Sequence, residues 1–384
     1  MTIKLLKDIV YISDGNYSSK YPRNDEFVTK GIPFIRANNL VDNTVVDYDM
    51  LFISQEKHKE LKKGHLKTND VLLTTRGNIG RVSIVPDKYN DANINAQIVL
   101  LRCDKNIILP SYLLYCLQSD FCQRQMEKLE TGTALKQLPV GRLSDLRINV
   151  VPIKEQEKIV KRLCVADSII RNHKTLLDNL ALLVKSRFIE MFGSCNKEES
   201  LINVCNFIDY RGKTPEKSED GIPLITAKNV RDNAFSLDPQ EFIPKENYDS
   251  VMTRGIPKVN DVLFTTEAPL GNVCRIPAVY EKFCVGQRII TMQPNKDILT
   301  SEYLERALLT EKFQEKIWAN SSGSTVKGIR SKLLEKLTIP IPPLEEQRRF
   351  ADFVAQVDKS KLAVQQSLDE LETLKKSLMQ QYFG

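Results

Sequence analysis

Two sets of polar residues recur along the chain in the same order, and they are the side chains best suited to recognition chemistry. The first is Arg36, Asn38 and Asn39, then Thr75, Arg76 and Asn78, then Gln97 and Lys136. The second is Thr226, Lys228 and Asn229, then Thr266, then Gln287, Arg288 and Lys327, with Arg211 and Lys213 ahead of it as further DNA-binding candidates. Arg makes paired hydrogen bonds to the guanine edge and Asn or Gln to the adenine edge, while Thr and Lys suit phosphate oxygens. A reader of two unlike half-sequences needs its halves to differ in this chemistry, and Arg76 of the first set corresponds to Glu267 in the second. Each residue taken singly is also what a solvated turn contains. Two further loops, Thr131–Lys136 and Ser322–Lys327, combine Gly, hydroxyls and Lys. Such a loop serves either as a phosphate clamp or as the end of a helix docked on its neighbour.

Catalytic patterns are missing. Gly212-Lys213-Thr214 ends like a nucleotide-binding loop, but position 207, where that motif needs Gly, is Phe. Pro342-Pro343 lacks the flanking residues of the tetrapeptide that holds a target amino group in amino-methyltransferases, and no Gly-rich methyl-donor loop precedes it. No Ser/His/Asp or Cys/His pair recurs. The eight cysteines include no CxxC, and His58, His65 and His173 assemble no zinc spacing. The expectation is a chain with no catalytic residue, no cofactor site and no metal site.

The elements that must carry these residues are themselves duplicated. Gly31-Ile32-Pro33-Phe34-Ile35 returns as Gly221-Ile222-Pro223-Leu224-Ile225, and Asp70-Val71-Leu72-Leu73-Thr74-Thr75 returns, 191 residues on, as Asp261-Val262-Leu263-Phe264-Thr265-Thr266. A period this long is a duplicated domain with a connector, not a solenoid unit. Each half opens with a mixed segment in which β-branched runs predict strands over Val71–Thr75, Val82–Val85 and Ile98–Leu101, with counterparts at Val262–Thr266 and Ile289–Met292. Helical stretches follow over Ser111–Leu129 and Ser301–Trp318, each with a serine at its start as the expected cap. After Pro152 and Pro343 the character changes. Seam positions fall at Ile159, Leu163, Ala166, Ile170, His173, Leu177, Leu180 and Val184, and 191 residues on at Phe350, Val354, Val357, Lys361, Val364, Leu368, Leu371 and Lys375, in alternating steps of 4 and 3 that define a heptad seam. Without Gly or Pro, each segment can run as one helix of roughly 55 Å. The seam extends beyond a domain of ordinary diameter, so the two helices are expected to pair antiparallel, with Lys361, Lys375 and His173 as the polar positions that set register.

Size and composition agree. The 384 residues, 42% hydrophobic, suffice for two cores, and a net charge of +6 is a mild hint of a polyanionic partner. Reduced thiols and the lack of any run of eighteen apolar residues point to a cytoplasmic protein with no membrane span. The expected fold class is α+β: two similar domains, residues 1–152 and 194–342, joined by long helices over 153–193 and 343–384.

With these residues in view, the chain resembles the specificity subunit of type I restriction–modification enzymes over essentially its whole length. The resemblance rests on the duplicated Gly-Ile-Pro-(Phe/Leu)-Ile-x-x-x-Asn, the Gly-x-x-x-Lys loops at Gly132 and Gly323, and above all the helix entry Pro-(Ile/Leu)-x-Glu-Gln at Pro152–Gln156 and Pro343–Gln347. It implies two target-recognition domains, each reading one half of an asymmetric bipartite DNA sequence, and an antiparallel coiled coil that measures the unread spacer. It also implies docking of two modification subunits, which carry S-adenosylmethionine and methylate adenine N6, and of restriction subunits that bring ATP and Mg. The missing catalytic motifs fit that division of labour. The rival class is a duplicated coiled-coil scaffold that binds protein partners without reading DNA.

Overall fold

The computed structural model describes residues 2–15, 20–132, 136–210, 215–231 and 234–384. The chain divides into two compact units, one of Met1–Lys174 with Gln366–Gly384 and the other of Thr175–Gln365. Both long helices run 40 residues, Ile153–Phe192 and Leu344–Phe383, and each contributes to both units.

In the first unit the central sheet has six strands in the order Val10–Asp14, Ile98–Cys103, Val71–Thr74, Val82–Ile84, Thr44–Val45, Leu40–Val41. Its middle strands are apolar on both faces, as their unbroken Val/Leu/Ile runs require when cores lie on each side. One face packs against the helices Pro110–Gln118 and Asp120–Leu129, together with Ile159, Leu163 and Phe383 from the two long helices. The other face closes on Ile35, Leu66, Tyr89 and Ile94. A smaller sheet, in the order Asn93–Ile94, Ile32–Ile35, Leu51–Ile53, Phe27–Val28, carries the Gly-Ile-Pro signature. Strand Thr2–Leu5 pairs antiparallel with Arg147–Val150, directly before the first long helix.

The second unit repeats the plan with fewer strands. Its main sheet runs Cys205–Asp209, Ile289–Pro294, Val262–Thr265, Val273–Arg275, and a three-stranded sheet of Phe242–Ile243, Ile222–Ile225 and Cys284–Val285 carries the second signature. Register is preserved across the duplication: Ile98 faces Thr74, and Ile289 faces Thr265. The strands expected from the β-branched runs are therefore present, in equivalent places.

The helical stretches differ from expectation. Each is two helices, Pro110–Gln118 and Asp120–Leu129 in the first unit, Ser301–Leu308 and Glu311–Ala319 in the second. Ser111 caps nothing, because Pro110 opens the first helix after an uncapped Leu109. Ser301 lies inside its helix, and the cap is Thr300, whose hydroxyl accepts from the Tyr303 amide at 3.2 Å. The breaks fall where an extended Ser119 or Thr310 caps the following helix, taking the amide hydrogens of Cys122 and Phe313 at 3.3 Å. The cap satisfies a donor that a continuous helix would have bonded internally.

The heptad positions face inward. In the first unit Ile159, Leu163, Ile170 and Leu368 are buried and Leu371 is half-buried; in the second, Phe350 and Val354 are buried and Leu177, Leu180 and Val364 half-buried. Each unit is closed by the tail of the other repeat's helix. Phe383 packs against Tyr112 with ring centres 5.2 Å apart in the first unit, and Phe192 meets Tyr303 at 4.9 Å and Phe350 at 5.5 Å in the second. Across the antiparallel segments within the first unit, Lys375 pairs with Asp167, Lys174 with Glu372 at 3.0 Å, and the Arg162 guanidinium donates to the Tyr382 hydroxyl at 2.7 Å. Lys375 thus has a partner specific to one register, whereas burial lowers the Lys361 ammonium below its ordinary value.

The long helices are fixed to their domains by two buried amides. Gln156 accepts from the Leu109 amide at 2.9 Å and donates to the carbonyls of Ile107 at 2.9 Å and Val151 at 2.7 Å. Gln347 accepts from Thr300 at 3.0 Å and donates to Ile298 and Pro342, both at 2.9 Å. Both side chains are fully shielded from solvent, and each makes three bonds to backbone that precedes a helix. The last residue of Pro-x-x-x-Gln is thus a structural staple. Gln156→Leu and Gln347→Leu are each expected to destabilise their unit by about 2–4 kcal/mol, because one acceptor and two donors are lost together and buried backbone groups are left unpaired. Urea unfolding of the two variants beside the parent checks this, and a loss below half a kcal/mol in both would show that the amides fix nothing.

Candidate nucleic-acid interface

The main-sheet strands end in matching loop clusters. In the first unit the Thr75 amide donates to the Gln97 carbonyl at 2.8 Å, Leu138 donates to the Thr75 carbonyl at 2.9 Å, and Arg76 and Thr131 both bridge to Gln137. In the second, Thr266 donates to Arg288 at 2.9 Å, Ile329 donates to Thr266 at 3.0 Å, and Glu267 and Ser322 both bridge to Gly328. One backbone network thus gathers three loops that are far apart in sequence. Arg76, Asn78, Gln97 and Lys136 stand exposed on the first cluster, and Arg288 and Lys327 on the second, with Gln287 half-exposed. Lys136 pairs with the half-buried Glu130 at 3.0 Å and Arg288 with Glu267 at 3.0 Å, the second pair exposed on both sides, where such a pair is readily exchanged for a phosphate. A hollow of about 290 Å³ in the second cluster is lined by Thr266, Glu267, Gln287 and Arg288. The Thr266 hydroxyl is buried without a hydrogen-bond partner among the described residues, whereas its counterpart on Thr75 donates to the Gln97 carbonyl at 3.2 Å. In the second loop Gly323 adopts φ +112°, and a Cβ there would lie 2.0 Å from the Val326 carbonyl oxygen, so only glycine permits this turn.

The other predicted residues separate into two kinds. Asn39 and Asn229 are buried and work inward: each Oδ1 accepts from the amide three residues before, Arg36 or Thr226, at 2.9 Å. The Asn39 amide nitrogen donates to Tyr48 at 2.7 Å, and that of Asn229 to Ser236 at 3.0 Å and Pro239 at 2.9 Å. They hold the turn that displays their neighbours, and with both ends of the amide occupied they have nothing to offer a base. The Asn of Gly-Ile-Pro-x-Ile-x-x-x-Asn is a turn residue on this geometry. Thr75 and Thr266 are likewise buried, while Thr226 is half-buried with its hydroxyl on Asn229 at 3.2 Å. Asn38 and Lys228 are exposed and Arg36 half-exposed. Arg36 is engaged with Asp49 at 2.7 Å and Lys228 with Glu241 at 3.0 Å. Arg211 and Lys213, with the Gly212-Lys213-Thr214 motif, lie outside the described residues, as do residues 133–135 of the Thr131–Lys136 loop.

Sequence reasoning did not identify the groups that brace these strands from behind. Asp70 caps the Lys67 amide at 2.8 Å and receives Arg102 through two bonds of 2.8 and 2.7 Å, and Arg102 also donates to the His65 carbonyl at 3.2 Å. Asp261 caps Lys258 at 2.7 Å, but its partner is Gln293, which donates to Asp261 at 2.7 Å and to the Ile256 carbonyl at 3.2 Å. Position for position the contacts are the same, with a neutral amide where the first unit has a cation. The only sequence signal is the spacing shared by Asp70–Arg102 and Asp261–Gln293. Two grooves also recur where the long helices meet the helix breaks. One, about 250 Å³, is lined by Ser119, Asp120 and Lys376; the other, about 650 Å³, by Thr310, Glu311 and Lys185. His58 and His65, which show no zinc spacing in sequence, come together with Asp91.

This architecture belongs to a recognised class. Residues 1–182 and 197–373 match the family described as the type I restriction modification DNA specificity domain, twice in one chain. The protein therefore belongs to the specificity subunits of type I restriction–modification systems, and its role there is the non-catalytic one of DNA recognition. It is similar to the putative type I restriction enzyme MjaX specificity subunit of Methanocaldococcus jannaschii, 24% identical over 98% of this chain and 91% of that one. It is also similar to the EcoBI specificity subunit of Escherichia coli, 28% identical over 46% of this chain and 37% of that one. In fold it is similar to the crystal structure of the S subunit from M. genitalium, with TM-score 0.59 and 16% identity over 98% of this chain and 94% of that one. A chain solved in work on complex assembly and conformational transition of a type I system gives TM-score 0.57 and 19% identity, covering 100% of this chain and 97% of that one. No helix among the described residues is long and apolar enough to cross a membrane.

Burial raises the Asp261 carboxyl above its ordinary value, outweighing the lowering by the Lys258 amide and Gln293. A carboxyl raised in the folded state favours folding at low pH, and that contribution is lost as pH rises through its folded value. At neutral pH the second unit therefore bears the cost of an ionised buried carboxylate. Gln293→Arg, which recreates the first unit's arrangement, is expected to stabilise the second unit by about 1 kcal/mol at pH 7, and the gain should shrink toward pH 3 as the carboxyl protonates. Urea unfolding at the two pH values checks this; an equal gain at both would detach the effect from Asp261.

Proposed function

We propose that the two domains, over residues 1–152 and 194–342, read the two halves of an asymmetric bipartite duplex DNA target. The helices over 153–193 and 343–384 would serve as the dock for two modification subunits that methylate adenine N6. The observation that carries this reading is the pair of strand-end clusters. They share one backbone hydrogen-bond network and differ in the side chains mounted on it, with Arg76 and Gln97 on one and Glu267 and Arg288 on the other. A common scaffold with divergent polar side chains is what two readers of different half-sites need.

The exposed members, Arg76, Asn78, Gln97, Lys136, Gln287, Arg288 and Lys327, are the base- and phosphate-contacting candidates, with Arg36, Asn38 and Lys228 beside them on the signature turns. Arg211 and Lys213 join them on sequence grounds. The target adenine, extruded from the duplex, would be received by the modification subunit. S-adenosylmethionine, ATP and Mg belong to the modification and restriction subunits, and the complex would work in the cytoplasm. The equivalent grooves at Ser119 and Thr310 support two docking sites for identical partners. Each is placed against a helix break that both repeats keep.

The test replaces residues 1–150 with the corresponding segment of a specificity subunit of different target, expressed with its modification subunits. One half of the methylated motif should change and the other should stay; a change in both halves, or in neither, would overturn the division of reading between domains. A scaffold without DNA readout would show no retention on duplex DNA, whereas phosphate contacts should make retention of this chain fall steeply with salt.

A further inference from the structure

His58, His65 and Asp91 lie in the first unit and are none of the residues assigned above to its strand-end cluster or its groove. His58 is buried at the end of the short helix Gln55–Glu60; His65 is half-buried in the loop beyond it; Asp91 is exposed. One ligand atom from each lies within 4.8 Å of the others. The closest approaches are His58 Nε2 to Asp91 Oδ2 at 3.4 Å and His65 Nδ1 to Asp91 Oδ1 at 3.9 Å, with the two rings 4.5 Å apart.

The hydrogen bonds on the far side of each ring decide what faces Asp91. His65 Nε2 lies against the Leu61 carbonyl, which only accepts, so Nε2 carries the hydrogen and Nδ1 presents a lone pair to Asp91. As the Asn93 amide is oriented, its Oδ1 faces His58 Nδ1, which in that orientation donates and leaves the Nε2 lone pair toward Asp91. With neutral rings, three acceptors converge with no hydrogen among them, a repulsion that either a bound cation or a proton on one ring would relieve. Ring nitrogens that donate outward to a carbonyl and an amide oxygen while their lone pairs converge are the mark of metal-ligating histidines. The spacing fits as well: ligand atoms about 2.0–2.1 Å from a tetrahedral zinc stand about 3.3 Å apart, beside the 3.4 Å found between His58 and Asp91. Small rotations of the less buried His65 and Asp91 side chains would close the remaining distance.

We propose that His58 Nε2, His65 Nδ1 and Asp91 bind a divalent cation of the zinc class, with water in a fourth position that opens to solvent beside Asp91. The site is peculiar to the first domain. The positions 191 residues on are Asp249, Ile256 and Lys282, and the Lys282 ammonium sits over the Tyr248 ring at 3.9 Å. A bound ion would tie the helix Gln55–Glu60 to the segment that leads through strand Asn93–Ile94 into Asn95 and Gln97, and so would brace one reading loop and not the other. The Arg102 guanidinium, on the His65 carbonyl at 3.2 Å and paired with Asp70, holds the second ligand in place.

The test uses the full chain, stripped of metal by chelation and titrated with Co(II). About one equivalent should bind with the visible ligand-field bands of a tetrahedral nitrogen and oxygen site, and without the near-ultraviolet thiolate band that the free cysteines would give. Asp91→Asn, which preserves shape at an exposed left-handed position, and His65→Gln should each weaken binding at least tenfold. At equal concentration Zn(II) should raise the unfolding midpoint of the parent clearly more than that of Asp91→Asn. Absence of saturable binding, a thiolate band, or binding that both variants retain would each overturn the proposal, leaving an imidazole–carboxylate cluster that only hydrogen-bonds. That result would correspond to the opposite orientation of the Asn93 amide, which turns the His58 Nε2 hydrogen onto Asp91.

Discussion

Everything else in this structure depends on two buried primary amides. A glutamine removed from water costs free energy unless its oxygen and both its N–H groups are used. Gln156 and Gln347 meet that condition with three backbone bonds each, to the loop ahead of a domain helix and to the turn that starts the long helix. Sliding a helix by one residue, or turning it about its axis, would break all three at once. Direction and register of each long helix are thereby set by its own domain at the point of entry. A second tie follows one heptad and a turn later. Asp167 accepts from Tyr115 at 2.7 Å and Asn43 at 3.1 Å, and Asp358 receives Arg275 at 3.1 Å.

Given that frame, the repeats were free to differ elsewhere. Sheet register, helix breaks, staples and the backbone network at the strand ends coincide between the units, whereas the side chains on that network do not. Differences extend to the braces behind the strands, where Asp70–Arg102 in one unit becomes Asp261–Gln293 in the other with the same four groups in contact. A charge has been exchanged for a dipole without moving the backbone. Divergence of this kind alters the side chains and leaves the backbone they are mounted on unchanged.

Much of this was legible in the sequence, for physical reasons. A seven-residue apolar rhythm has few uses other than a helix seam, and β-branched runs bounded by Asp, Asn and Gly have few other than strands. Pro-x-x-x-Gln stood out because it recurs at the head of both heptad runs, at Pro152–Gln156 and Pro343–Gln347. The helix breaks did not stand out, since Ser119 and Thr310 are polar residues in polar surroundings whose capping role shows only from the backbone. Asn39 and Asn229 looked like readers because an amide that caps a turn and an amide that reads adenine are the same side chain. The closure of each unit by the far tail of the other repeat's helix, Phe383 on Tyr112 and Phe192 on Tyr303, joins residues too distant in sequence for any local pattern. The convergence of His58, His65 and Asp91 was hidden for the same reason, its carboxylate lying on a separate loop.

The central claim is that one chain reads two unlike half-sites and delivers methyl transfer to both. Mapping N6-methyladenine across the genome of cells expressing the modification subunits, with and without this chain, tests it most directly. A single new motif should appear with the chain, consisting of two different specified halves separated by a fixed unspecified spacer, with one methylated adenine in each half on opposite strands. An unchanged map, or a motif that is continuous or palindromic, would contradict the account.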